Sequence, residues 1–126
     1  MKTINSVKKF DLEERLIDFS VLVIEISKKT PKIKASNHLS GQLLRSGTSV
    51  ALNYGEAQSG ESRKDFIHKM SIVLKELRET LVCLKIIERA QFMEDSTRLI
   101  QAKKECNELV SIFVKSLQTV KRNMRN

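Results

Sequence analysis

Apolar residues return at intervals of three and four through most of this chain, and that period leaves few folds open to it. Leu12, Leu16, Phe19, Val23 and Ile26 draw one stripe along a helix, widened by Ile17, Val21 and Ile24. Phe66, Met70, Val73, Leu77, Leu81 and Leu84 keep the same spacing, and Leu99, Ala102, Cys106, Leu109, Phe113, Leu117 and Val120 continue it. Strands need strict alternation and a sheet needs many turns. One proline and four glycines in 126 residues supply few of those turns, so the chain reads as all-α.

Local punctuation divides it into four helices. Asp11 caps a first helix over about residues 11–29, with Glu13 and Glu14 early and Lys28 and Lys29 late, the order the helix dipole favours; Pro31 follows. Ser36 or Asn37 caps a second over about 37–58, which Ser59-Gly60 breaks. Ser62 and Asp65 resemble a capping box that opens a third over about 63–90. Asp95 caps a fourth over about 96–122, leaving Lys121 to Asn126 as a fraying tail. Short connections make neighbours antiparallel, which predicts one domain, residues 1–126, folded as an up-down-up-down four-helix bundle. That length buries a continuous core without disulfides or a structural metal.

Composition narrows the functional classes. Twenty-three Lys plus Arg against fifteen Asp plus Glu leave a formal charge of +8, which favours polyanionic partners and also simply keeps a helical protein in solution. Cys83 and Cys106 have neither metal-type spacing nor a histidine cluster, so they are expected to be reduced core thiols in a cytoplasmic protein without metal or cofactor. Charges interrupt the N-terminal segment where a signal peptide needs its apolar stretch, and Glu25 cuts the run Val21 to Ile24, so no membrane association is expected.

The second and third helices carry more than a core stripe. Leu39, Leu43, Val50, Tyr54 and Ala57 form the core face of the second, while Ser40, Gly47, Thr48, Ala51 and Gly55 make a strip of small residues around Leu44. Glycine inside a helix costs about 1 kcal/mol relative to alanine, so the strip predicts close approach of another helix, within or between subunits. The run Leu81 to Ile87 is apolar on nearly every side, more than one core uses, which predicts a subunit interface. Arg45, Ser49, Asn53 and Glu56 stand at helical spacing as either a solvated face or a connected polar row.

The segment Gln42 to Thr80, QLLRSGTSVALNYGEAQSGESRKDFIHKMSIVLKELRET, resembles the four-helix-bundle family of 23S rRNA intervening-sequence proteins. The resemblance lies in an Arg-x3-Ser-x3-Asn-x2-Glu row, a Ser-x2-Asp-Phe step and a Glu-Leu-Arg-Glu stretch. These fall on Arg45, Ser49, Asn53, Glu56, Ser62, Asp65, Phe66, Glu76, Arg78 and Glu79. Many relatives have Pro where this chain has Ala51 and Gly where it has Ala57. The resemblance implies a bacterial protein assembled as a homopentamer with a central opening. It also implies that Arg45, Ser49, Asn53, Glu56, Glu76, Arg78 and Glu79 form a structural or interface network. The accessory protein of diversity-generating retroelements is similar in fold and implied to bind nucleic acid, which makes RNA or DNA an expected partner by analogy.

Between Ile26 and Gly55 there is no acidic residue, and Lys28, Lys29, Lys32, Lys34 and Arg45 give that stretch its charge. They are the expected nucleic-acid contacts, with Arg89 and Arg98 nearby and with Lys8, Lys9, Arg63, Lys64, Lys121 and Arg122 at the opposite end. One Tyr, no Trp and five Phe leave few stacking platforms, so backbone recognition of structured RNA is expected over single-strand reading. A scaffold that engages another protein is the alternative. No catalytic residue is assigned. Arg63 and His68 match the loose Arg-x4-His spacing of HEPN-type ribonucleases, a spacing that arises easily by chance, and no phosphate loop, nucleophile constellation or metal-ligand set is present.

Overall fold

The computed structural model describes residues 11–60 and 62–125; Lys8, Lys9 and Asn126 lie outside them. Four helices follow one another, α1 (Leu12–Lys29), α2 (Lys34–Gln58), α3 (Arg63–Arg89) and α4 (Thr97–Arg125), with no strand among the described residues. Around the bundle α1 packs on α2 and α4, α2 on α3, and α3 on α4, so α1 and α3 stand diagonally. Contacts between neighbours run in opposite residue order. Ser20 meets Gly47 and Ser27 meets Ser40; Arg45 meets Glu76 and Lys69 meets Glu56; Cys106 meets Leu77 and Lys103 meets Glu88; Arg15 meets Glu105 and Arg98 meets Glu25.

The helix ends follow their capping chemistry. Asp11 Oδ1 accepts from the Glu14 N–H at 3.0 Å, and Ser62 Oγ accepts from the Asp65 N–H at 3.1 Å. Ser36 does not cap α2 as expected, because the helix starts at Lys34 and leaves Ser36 buried inside its first turn. There its hydroxyl donates to the Pro31 carbonyl, with the Ile33 carbonyl as the alternative acceptor, and takes the Ile33 N–H, folding the incoming chain onto the helix. Asp95 lies before Ser96 and Thr97, and its Oδ1 accepts the Thr97 N–H at 3.0 Å and the Thr97 hydroxyl at 2.7 Å. Beyond position 120 the chain does not fray as expected but stays helical through Arg125. α3 closes with Gln91 at φ 59°, the Gln91 N–H bonded to the Glu88 carbonyl and the Phe92 N–H to that of Ile87.

Apolar side chains from all four helices make one core. Phe19, Val23 and Ile26 of α1 meet Leu43 and Val50 of α2, Val73, Leu77 and Leu84 of α3, and Leu99, Leu109 and Phe113 of α4. Tyr54 crosses from α2 to stand edge-on to Phe113 of α4, ring centres 5.9 Å apart at 87°. Every buried side-chain nitrogen and oxygen among the described residues has a hydrogen-bond partner.

Candidate functional site

Lys28, Lys29, Lys32 and Lys34 are all exposed where the chain turns from α1 into α2. None forms an ion pair with a described residue. The neighbouring α3–α4 connection tempers their field. Lys29 shares a shallow depression with Glu94 and Asp95, and Arg98, expected to add charge there, pairs with Glu25. Hydrogen bonds from Thr97 hold the Asp95 carboxyl below the usual carboxylate range, assisted by Lys29 and Arg98.

Arg45 stands apart from these lysines, about 16 Å further along α2 at 1.5 Å per residue. Its Nη1 lies 3.2 Å from Glu76 Oε1 and its Nη2 contacts Glu79, so two carboxylates from α3 already answer its charge. It belongs to the α2–α3 seam rather than to the lysine turn. The other members of the polar row do not form a connected chain. Ser49 Oγ donates to the Ser46 carbonyl and Asn53 Nδ2 to the Ser49 carbonyl, each at 2.9 Å, as short side chains do when the next helix is out of reach. Glu56 pairs with Lys69, and Arg78 is exposed with no ion partner among the described residues.

The buried polar link of that seam lies beside the row. Thr80 Oγ1 donates to Ser46 Oγ at 2.8 Å, and both side chains are fully enclosed. Sequence reasoning passed over Ser46 and Thr80, because small hydroxyl residues suit a core edge and a wet face equally well. It also passed over Arg15, which grips Glu105 with two nitrogens at 2.6 and 2.9 Å and reaches Glu108 at 2.8 Å, tying α1 to α4. Glu105 raises the Arg15 guanidinium above its ordinary value against the opposing effect of burial. The partners are too far apart in sequence for any local signal.

Of the small strip, Gly47 lies at a true close approach: a Cβ there would stand 2.8 Å from both γ-carbons of Val23. Gly55 has only ordinary room beside Glu13, while Ser40 Oγ reaches the Ser27 carbonyl at 3.2 Å, so the strip serves contact with α1 within the subunit at Gly47 and Ser40; Gly41, outside the strip, faces open space. The apolar surplus of α3 divides. Cys83, Leu84 and Ile87 turn inward, whereas Val82 and Ile86 remain 55% and 45% exposed. Ile17, Val21 and Ile24 are exposed on α1, and Leu44 and Leu52 on α2. A second feature of α3 lay unread in the sequence: Lys75, Arg78, Lys85 and Arg89 are exposed around Val82 and Ile86, none with an ion partner among the described residues.

Arg63 and His68 are both exposed near the start of α3, but five positions turn them about 140° apart, so they do not share a face. No group of three or more His, Cys, Asp or Glu that could hold a metal ion occurs among the described residues, and no described helix is long and apolar enough to cross a membrane.

Comparison with known proteins bears on what these surfaces serve. No curated protein matches the chain. A crystal structure from Bacteroides thetaiotaomicron VPI-5482, described as a protein of unknown function from the S23 ribosomal protein family, is similar with a TM-score of 0.75 and 28% identity, covering 83% of this chain and 96% of that one. The family model described as 23S rRNA-intervening sequence protein matches residues 8–115. That match spans all of α1, α2 and α3 and most of α4, including the polar row, the lysine turn and the α3–α4 connection beside it, and the chain therefore belongs to the 23S rRNA-intervening sequence protein family.

Proposed function

We propose that this chain is a non-enzymatic cytoplasmic protein, an antiparallel up-down-up-down bundle that assembles with copies of itself and binds structured RNA. The opposite residue order of contacts across every neighbouring helix pair supports the topology. The resemblance implies a homopentamer, and apolar side chains left in water on α1, α2 and α3 support self-association.

One observation carries the RNA reading: Lys28, Lys29, Lys32 and Lys34 project without ion partners among the described residues from a stretch that contains no acid. Such a cluster contacts phosphates without reading sequence. Phe19 and Phe113 are buried and Tyr54 stands on Phe113, which leaves base stacking little to work with and favours shape and backbone recognition. Replacing Lys28, Lys32 and Lys34 together by Glu is expected to weaken binding to a structured RNA hairpin by at least about tenfold. The salt dependence should fall by roughly one unit of slope for each phosphate that is no longer neutralised. An unchanged affinity and slope in that titration would remove the lysine turn from the reading.

Glu94 and Asp95 beside Lys29 favour a second reading, in which this end meets a protein of mixed charge. Capture experiments with and without nuclease separate the two, since a protein partner survives digestion of RNA.

A further inference from the structure

We infer that copies of this chain associate head to tail, the outer face of α1 in one copy lying on the outer face of α3 in the next. The inference rests on the self-assembly reading above and supplies the surfaces that reading leaves open. On α1, the exposed side chains Ile17, Val21 and Ile24 stand beside the exposed carboxylates Glu14 and Asp18. Neither carboxylate has an ion partner among the described residues. On α3, Val82 and Ile86 are bordered by the exposed cations Lys75, Arg78, Lys85 and Arg89, unpaired among the described residues. Each face is thus an apolar centre with a charged rim. Lys28 closes the α1 face beyond Ile24, so the acidic part of that face is the half where Glu14 and Asp18 flank Ile17 and Val21, and that half is opposite in sign to the α3 rim.

That complementarity selects both the occupant and the mode. A polyanion would gain nothing from Val82 or Ile86, 55% and 45% in water, and would be repelled by the α1 face. Pairing α1 with α1 sets carboxylate against carboxylate, and pairing α3 with α3 sets cation against cation, arrangements that cost free energy in any interface. Of these three pairings, α1 against α3 is the one that joins opposite charges around joined apolar centres. Because α1 and α3 are diagonal in the bundle, one copy offers both faces at once and using one leaves the other free. Such a heterologous contact propagates, closing into a ring when its rotation permits.

The test is charge exchange read by light scattering on the full chain. The α1 variant carries Glu14→Lys and Asp18→Lys, the α3 variant Lys75→Glu and Lys85→Glu, and a third chain carries all four. The first pair raises net charge and the second lowers it equally, so an effect of net charge alone moves them in opposite directions. Both two-site variants are expected to fall to the 14.4 kDa of a single copy while keeping a cooperative melt, and the four-site chain to return to the wild-type mass. Rising salt should dissociate the wild type as well. Wild-type mass retained by both two-site variants overturns the assignment of faces, as does a four-site chain that stays at 14.4 kDa although the wild type assembles. A Leu52→Glu variant that alone dissociates the protein overturns it too and moves the contact to α2. A wild type found only as single copies defeats self-assembly itself, a different result from a misplaced face.

Discussion

The Cys106 thiol illustrates how one residue couples the core to solution conditions. Its sulfur donates to the Leu77 carbonyl at 3.2 Å across the α3–α4 seam, and burial, reinforced by the Glu105 charge, pushes its pKa up to about 12. The unfolded thiol ionises near 9, so above that pH the unfolded chain loses a proton that the folded chain keeps, and stability falls by about 1.4 kcal/mol per pH unit until the folded pKa is reached. Below pH 9 this contribution is fully present. Urea unfolding of wild type and Cys106→Ala is therefore expected to give a wild-type advantage that shrinks by about 2 kcal/mol between about pH 8 and pH 10.5; a constant difference contradicts the assignment. Burial also raises the Cys83 thiol, opposed by Arg45, so both thiols should resist alkylation in the folded protein. The helical spacing of Cys106 within the apolar stripe announced its burial. Its carbonyl partner was not legible, because the register of two helices is set by packing.

At the scale of the helices, the α1–α2 approach turns on Gly47. Its missing side chain leaves room for Val23, whose branched γ-carbons would stand 2.8 Å from a Cβ, and lets Ser20 Oγ reach the Gly47 carbonyl at 3.2 Å. Gly47→Ala gains about 1 kcal/mol of helix propensity but overpacks the seam against the stiff Val23 side chain, a cost in the upper part of the range of about 1 to 3 kcal/mol, for a net destabilisation of up to about 2 kcal/mol. Gly41→Ala meets nothing within 4 Å and is expected to stabilise the protein by up to about 1 kcal/mol. Thermal melts of the two variants should move in opposite directions; movement in the same direction counts against Gly47 as the point of closest approach. The sequence marked Gly47 and Gly55 alike, since periodicity places a residue on a strip without reporting what stands opposite, and only at Gly47 is the neighbour close. The polar row shows the same limit. Spacing put Arg45, Ser49, Asn53 and Glu56 on one side of α2, yet reach decided their partners: Arg45 and Glu56 cross to α3, while Ser49 and Asn53 turn back on their own helix.

For the molecule as a whole, four helices around one core were legible from apolar periodicity and end signals, because both are local properties of the chain. The helix ends erred where a hydroxyl could serve two roles, as Ser36 does from within the first turn of α2. The charge distribution was only half legible. An acid-free stretch pointed to the lysine turn, whereas the carboxylates that approach it, and which charges of α3 find partners, depend on which helices become neighbours. The central claim is that apolar side chains exposed on single copies, among them Val21, Val82 and Ile86, are covered by other copies. Light scattering of the purified chain after nuclease treatment tests it most directly. A uniform species near five times 14.4 kDa is the predicted result, and a single species of 14.4 kDa that persists at high protein concentration contradicts it.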